Sequence, residues 1–409
     1  KLNISGNVQT RDEVTRREFR QLEGAWYDTK LLARAKERIE RLTYFESVNM
    51  EMVPVPGVAD QVDLNLTVVE RNSGTIQAGL GYSDTDKIVL SGSISQENLL
   101  GTGNIFSLNI STGKVNRNYS LSFTNPYYTV DGISRGFDIY LRGFDATQYE
   151  DLAPYKSESM GFGVRYGIPL SEKNRLNFGL NYELNDITIY EESPSRYKTF
   201  IDNYGHTPRT LLGTLSLVSD SRDSVLYPTK GSMKRLSLNL GLPGGTMRFY
   251  KVSYEHRHYW PISDYFTLLV GGQIGFGDGY GGKPLPFFEN FYGGGIGTVR
   301  GYGTSTMGPL DEDGYAMGGD RIIAGSAELL WPMPGMEKSK SARLSAFFDA
   351  GQVYGEGYKF DLGELRYSAG IGLLWLSPMG PMRFSYAQPL NKKPSDIIER
   401  FQFTFGTTF

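Results

Sequence analysis

Alternation between apolar and polar residues dominates the chain after residue 74. Side chains of a β-strand point alternately to opposite faces of the sheet, so this pattern predicts strands with one apolar face. The clearest segment has asparagine, glycine and glutamate on one face, and its other face carries Leu176, Phe178, Leu180, Tyr182 and Leu184. Residues 106–111, 119–124 and 236–242 repeat the pattern. About sixteen such segments fit between residues 75 and 409.

Strands of this kind fit a water-soluble sandwich with its apolar faces inward, or a transmembrane barrel with its apolar face outward. The barrel is favoured because about 21 residues per strand and connection is typical of a large barrel. The connections also alternate between short ones, such as 169–174, and long ones, such as 191–205 and 277–320. Outer-membrane barrels have short periplasmic turns and long external loops. We therefore predict a mainly β protein with a 16-stranded antiparallel transmembrane β-barrel over residues 75–409.

Residues 1–74 have a different pattern, which predicts a small α+β domain in the order strand, helix, helix, strand, strand. Thr10 followed by Glu13 predicts a capping box for a first helix that ends at Gly24. Asp28 is a suitable N-cap for a second, amphipathic helix. Two strands are predicted at residues 46–53 and 61–70. With an even number of barrel strands, this domain lies on the side of the short turns, in the periplasm.

The composition excludes several classes of protein. The chain has no cysteine, which excludes disulfides, thiolate metal ligands and cysteine nucleophiles. Glycine accounts for 50 of 409 residues, well above the roughly 7% of average proteins, which argues against a mainly helical chain. No apolar run approaches the roughly 18 residues of a membrane-spanning helix. The net charge of −3 gives no indication of a nucleic-acid partner.

The sequence also offers little chemistry for an enzyme. His256 and His258 share a strand face, but they have no third metal ligand nearby, and His206 is isolated. The acidic run at residues 311–314 does not have the glycine spacing of a calcium loop. No phosphate-binding glycine motif or nucleophile elbow is present. We therefore expect no enzymatic activity, no metal and no cofactor, including ATP.

The informative segment is residues 290–303, which contain six glycines and a single cation, Arg300. One possibility is a flexible external loop with a solvated arginine. The other is a loop that folds into the barrel, because Glu328 and Asp349 lie on the predicted lumen faces of the next two strands. An arginine that reached both carboxylates would form charge-assisted hydrogen bonds in a partly desolvated interior.

Several motifs resemble those of the outer-membrane insertase superfamily. Val299, Arg300, Gly301 and Tyr302 resemble the Val/Ile-Arg-Gly-Phe/Tyr motif of its sixth external loop. The resemblance continues in residues 308–309, 318–319, 326–328 and 347–351, and in the chain ending at 401–409. Residues 4–7, 16–19 and 44–45 resemble a polypeptide-transport-associated (POTRA) module. Members of the barrel-assembly branch have five such modules, which implies either that upstream modules were removed or that this is a shorter relative.

The resemblance implies a protein that folds and inserts client β-barrel proteins into the outer membrane of a Gram-negative bacterium. It implies a lateral gate at the seam between the first and last strands, and Arg300 as a loop lock with Glu328 and Asp349 as its lumen partners. It implies client outer-membrane proteins, accessory lipoproteins, the lipid bilayer and possible periplasmic chaperones as partners. The expected seam residues in the first strand are Ile76, Ala78, Gly79, Leu80, Gly81 and Tyr82. Those in the last strand are Phe401, Phe403, Phe405, Gly406 and Phe409.

Two other functions remain open at this point. A two-partner secretion transporter would pass an unfolded polypeptide through the barrel, and such relatives often have tyrosine at the position of Tyr302. They usually also have a plug helix and two POTRA modules, neither of which is visible. A passive porin is the other possibility, although it would need neither the N-terminal domain nor the loop motif.

Overall fold

The computed structural model describes residues 1–58, 60–83, 87–336, 341–357, 360–377 and 380–405. The N-terminal domain has the predicted order of elements, β1 (Leu2–Ser5), α1 (Asp12–Arg16), α2 (Thr29–Glu40), β2 (Phe45–Pro54) and β3 (Val62–Glu70). Its strands form one sheet in which β3 lies between β1 and β2. Val14 and Ile39 from the helices pack on Leu66 and Val68 of the central strand, so the sequence folds a core on one face of this sheet.

The two helices of this domain differ in how well the sequence predicts them. Asp28 caps α2 as expected, since its carboxylate accepts from the backbone N–H groups of Lys30 (2.8 Å) and Leu31 (3.3 Å). The predicted capping box at Thr10 is wrong, because α1 begins after Arg11 and ends at Arg16 instead of continuing to Gly24. The hydroxyl of Thr10 instead accepts from the Asn98 side chain at 2.8 Å. The local pattern assigned this hydroxyl to the start of the helix, but in the structure its partner is a side chain 88 residues further along the chain.

Sixteen strands close into a barrel in which each strand pairs with its neighbours, confirming the predicted fold class. Antiparallel register is described for the pairs from β9 to β21 and from β21 to β4. The strands are β4 (Gly74–Ser83), β5 (Lys87–Leu99), β6 (Asn104–Thr112), β7 (Asn116–Asn125), β8 (Ser134–Asp145), β9 (Tyr155–Pro169), β10 (Asn174–Ile189), β11 (Arg209–Asp220), β12 (Gly231–Leu242), β13 (Phe249–Pro261), β14 (Thr267–Gly279), β16 (Arg321–Pro332), β17 (Ala342–Tyr354), β18 (Arg366–Ser377), β19 (Gly380–Pro389) and β21 (Phe401–Phe405).

Three further elements lie in the connections between strands. Helix α3 (Ser195–Tyr204) lies between β10 and β11, β15 (Gly301–Tyr302) lies between β14 and β16, and β20 (Ile398–Glu399) precedes β21. The two short strands β15 and β20 pair with each other. In the parts of the chain listed above as described, no helix is long and apolar enough to cross a bilayer.

The apolar face of the strands points outward. On β10, Leu180 is 49% exposed whereas its inward neighbours Glu183 and Asn185 are buried. An outer surface of this kind would be an aggregation hazard in water, but it matches the hydrocarbon of a bilayer. The polar inward face leaves the lumen able to hold charged and hydrogen-bonded groups, which is where the candidate site lies.

By residue contacts the chain divides into two compact units. The first consists of residues 1–77, 93–108 and 121–137, and the second of residues 78–92, 109–120 and 138–409. The first unit therefore contains the N-terminal domain together with parts of β4 to β8. The boundary at residue 74 between the N-terminal domain and the barrel stays a prediction.

Candidate functional site

The connection between β14 and β16 contains a loop motif, which we define as Val299, Arg300, Gly301 and Tyr302. The glycine-rich segment before it is ordered by its own hydrogen bonds: the hydroxyl of Thr298 accepts from Gly294 N at 2.7 Å, and Gly295 N donates to Tyr302 O at 3.1 Å. Gly294 has φ +99°, and a Cβ there would lie 2.1 Å from Gly303 O. This glycine therefore permits a close approach that no other residue could make.

Arg300 lies in the lumen among side chains from β16 and β17. Its Nε and Nη2 atoms donate to the two carboxylate oxygens of Asp349, each at 2.7 Å, and its Nη1 donates to Glu328. Nη2 also donates to the hydroxyl of Ser326 at 3.0 Å, and that hydroxyl donates to Asp349 at 2.6 Å. The side chain of Asp349 is fully buried and that of Arg300 is 13% exposed. The structure thus brings together the cation and both carboxylates that the sequence singled out.

The aromatic ring of Phe347 completes this arginine cluster, which we define as Arg300, Ser326, Glu328, Phe347 and Asp349. The guanidinium carbon of Arg300 lies 3.4 Å from the centre of that ring. A guanidinium that stacks on an aromatic face and pairs bidentately with a carboxylate uses the planar geometry that lysine lacks. Phe347 was outside the predicted site, although its place two residues before Asp349 puts it on the same inward face.

The opposite side of the loop motif is held by Gln402 of β21. Its amide nitrogen donates to Tyr302 O at 2.8 Å, and its carbonyl accepts from Gly301 N at 3.2 Å. Gly301 has φ +89°, and a Cβ there would lie 2.9 Å from Cβ of Ala387 on β19. The pairing of β15 with β20 extends the contact, and Gly303 N donates to Ile397 O at 2.8 Å.

Tyr302 is 1% exposed, and its hydroxyl has local partners. It donates to Tyr367 O at 3.2 Å, and Asn391 Oδ1 lies 3.4 Å away as a second acceptor. Burial raises the pKa of Tyr302 to about 12, which keeps the phenol a neutral donor. The hydroxyl that distinguishes tyrosine from phenylalanine at this position thus contacts the start of β18 and the segment that follows β19. These partners give the tyrosine a structural role within this barrel.

The seam lies between β21 and β4. Over the described parts of both strands, two residue pairs join them, Thr404 with Ser83 and Phe405 with Tyr82. Residues 84–86 and 406–409, which adjoin these pairs, lie outside the described residues. The rings of Tyr82 and Phe403 stack across the seam with centroids 5.4 Å apart.

The other predicted seam residues are placed as follows. Ile76, Leu80 and Phe401 are exposed on the outer face, at 80%, 57% and 55%, and Gly81 is buried. Ala78 is exposed and Gly79 is half-buried, with the carbonyl of Gly79 accepting from Ser91. Gly406 and Phe409 lie outside the described residues.

Comparison with known proteins places these features in a family. Residues 98–409 match the Omp85 superfamily domain, and residues 1–71 match the POTRA family described as surface antigen variable number repeat. The outer membrane protein assembly factor BamA of Neisseria meningitidis is 42% identical, in an alignment that covers 100% of this chain and 56% of that protein. The chain spans about half the length of the curated relatives it matches.

Solved structures are also similar over nearly the whole chain, among them the following two. The crystal structure of Haemophilus ducreyi BamA lacking POTRA domains 1–3 has a TM-score of 0.87 and 31% identity, with coverage of 98% of this chain and 83% of that one. CdiB from Acinetobacter baumannii has a TM-score of 0.63 with 16% identity, covering 99% of this chain and 72% of that chain. The second likeness concerns the fold alone.

Proposed function

The chain belongs to the Omp85 superfamily and is an outer-membrane barrel with a periplasmic POTRA module, and on this basis we propose that it folds and inserts client β-barrel proteins into the outer membrane. The observation that carries the proposal is the seam between β21 and β4, where the last strand of the barrel pairs with the first, so that opening it would leave two unpaired strand edges. A client strand could add to an edge of this kind by β-augmentation.

The membrane makes an unpaired strand edge a favourable binding site for another strand. Hydrocarbon offers no water to unpaired backbone groups, and each unsatisfied group costs several kcal/mol there. An opened seam therefore favours any strand that can supply partners, and a folding client has such strands. The client's own burial in lipid supplies the free energy, so the proposed mechanism needs no ATP.

In this mechanism the loop motif has a supporting role. The arginine cluster fixes the loop to β16 and β17, and β18 and β19 separate these strands from the seam strand β21. The fixed loop keeps the lumen occupied while the seam works at the lipid-facing side. Client outer-membrane proteins are the proposed substrates, and accessory lipoproteins and periplasmic chaperones are proposed partners.

The secretion alternative requires a path through the lumen. The fold likeness to CdiB is compatible with it, but the higher identity to BamA over the full chain favours insertion. Tyr302 no longer supports secretion, since its hydroxyl has partners within this barrel. A passive porin has no use for a loop held on two sides of the lumen.

The test is a disulfide across the seam, made from Tyr82→Cys with Phe405→Cys, because these residues pair and the native chain has no cysteine. Folding of an unfolded client barrel into proteoliposomes is followed by its heat-modifiable mobility. We expect the oxidised protein to lose insertion and reduction to restore it. The matched control is Phe178→Cys with Leu215→Cys, an outward pair on β10 and β11 whose oxidation should change nothing.

Two results would count against the proposal. Insertion by the oxidised seam variant at the rate of the reduced one would exclude a lateral gate and favour a route through the lumen. Client folding no faster with the reduced protein than in empty liposomes would exclude insertion itself.

A further inference from the structure

We propose that Gln402 is a positioning residue that couples the loop motif to the last strand of the barrel, so that the loop and the seam respond to each other. This inference rests on the proposed function for its use, but its evidence is the geometry of Gln402. The side chain is 2% exposed and lies on the inward face of β21 between the seam phenylalanines. Its polar atoms contact backbone groups of the loop motif, so the role that we propose concerns position.

The two ends of the Gln402 amide match two consecutive backbone groups of the loop motif. The carbonyl accepts from Gly301 N at 3.2 Å and the nitrogen donates to Tyr302 O at 2.8 Å. The same nitrogen also donates to Glu399 Oε2, with 3.0 Å between the nitrogen and the oxygen. An amide has two donors and one carbonyl oxygen, so the side chain uses each of its groups here.

These contacts add a direct link between the loop motif and the last strand of the barrel. Arg300 binds side chains of β16 and β17, whereas the next two residues bind β21 through Gln402. The loop motif therefore spans from one wall of the barrel to the strand that forms the seam. A shift of β21 at Gln402 must either break both hydrogen bonds or move the loop with it, and a loosened loop must likewise release β21.

Glycine at position 301 makes this double attachment possible. Its positive φ turns the backbone between the two anchors, and the missing side chain lets the chain pass against Ala387. Arg300 binds β16 and β17, and Gly301 N binds β21 through Gln402, so two adjacent residues connect these strands. Neutral buried hydrogen bonds each change a local opening equilibrium by roughly tenfold, so loss of both should change it by roughly tenfold to a hundredfold.

The experiment measures amide hydrogen exchange in the complete protein, in liposomes and without any client. In Gln402→Met we expect exchange at residues 401–405 and at 299–303 to rise together, by roughly tenfold or more. The control is Asn181→Leu, which likewise replaces an amide by an apolar side chain of similar size. Asn181 lies on β10, which pairs with β9 and β11 and neighbours neither β21 nor the strands that hold Arg300. It should leave both segments unchanged.

A merely structural role for Gln402 is separated from coupling by a double-mutant cycle. Arg300→Lys should loosen the loop, and it should raise exchange at 401–405 when Gln402 is present but add nothing in Gln402→Met. Equal increments in both backgrounds, or no change at 401–405, would overturn the inference.

A second measurement does not depend on the folding of the glutamine variant. Closing the disulfide between Tyr82→Cys and Phe405→Cys should slow exchange of the Gly301 amide, because a fixed β21 holds this amide through Gln402. Unchanged exchange of the Gly301 amide on oxidation would also overturn the coupling. Since no client is present, failure here is distinguishable from failure of the proposed insertion activity.

Discussion

Replacing Arg300 with alanine removes the one cation of the arginine cluster. Four side-chain hydrogen bonds are lost, two to Asp349 and one each to Ser326 and Glu328. Asp349 stays fully buried and keeps its contacts with Ser326 Oγ and with the backbone N–H of residue 300. Glu328, whose side chain is 12% exposed, loses its ion-pair partner. The substitution therefore leaves two carboxylates in the lumen without their counter-charge.

The magnitude follows from the burial of these groups. Removing one partner of a buried ion pair typically destabilises by about 3–5 kcal/mol, mainly because the other charge is left unpaired. Each 1.4 kcal/mol changes an equilibrium tenfold, so the fraction of molecules with an open loop should rise by about 10²- to 4 × 10³-fold. Arg300→Lys keeps the charge but cannot bind bidentately, so an intermediate effect is expected.

The assay is cleavage of residues 280–320 by a protease of broad specificity, which avoids the tryptic site that the substitution itself removes. Cleavage of a transiently opened segment follows the population of the open form when closing is fast. Glu312→Ala is the control, since this loop residue is exposed. Asp311 is unsuitable because its carboxylate accepts from the backbone N–H groups of Asp313 and Tyr315. Equal cleavage rates for wild type and Arg300→Ala would refute the account of the loop as fixed by this cluster.

Two further predictions concern the loop backbone and the topology. Gly301→Ala should destabilise the barrel by more than about 1 kcal/mol, because alanine would need φ +89° beside Ala387. The midpoint temperature at which the heat-modifiable mobility changes measures this destabilisation. Gly297→Ala is the control and should have little effect, since a Cβ there meets nothing within 4 Å. A single cysteine at Glu192 should react with an impermeant maleimide on intact cells, whereas one at Lys173 should not. Reaction at the cysteine replacing Lys173 would show that the predicted orientation in the membrane is wrong. An unshifted midpoint for Gly301→Ala would contradict the steric argument.

Sequence alternation predicts the barrel well because the membrane imposes a simple rule. Side chains that face the lipid must be apolar, and a strand of about 9–11 residues is enough to cross the bilayer. The same alternation therefore repeats in strand after strand along the chain. The failure at Thr10 has the opposite origin. A capping box is a local motif, but the hydroxyl of Thr10 binds Asn98, and no local pattern contains that residue.

The same contrast holds within the site. Arg300 could be matched to Glu328 and Asp349 because few charges lie on the inward faces of the adjacent strands. Gln402 was missed because its partners are backbone groups about a hundred residues earlier in the chain. Its position between Phe401 and Phe403 does indicate an inward side chain, so alternation marks it as a lumen residue without identifying what it binds.

Opening of the seam in the proposed mechanism is limited by its backbone groups more than by its side chains. A cross-strand side-chain pair contributes only roughly 0.2–1 kcal/mol, and the stack of Tyr82 on Phe403 adds about 0.5–1.5 kcal/mol. Opening, however, exposes backbone groups to hydrocarbon, where each unsatisfied group costs several kcal/mol. The open state therefore becomes populated when a client strand arrives to pair with these groups. A seam that depends on a backbone partner in this way would open toward clients and stay closed toward lipid.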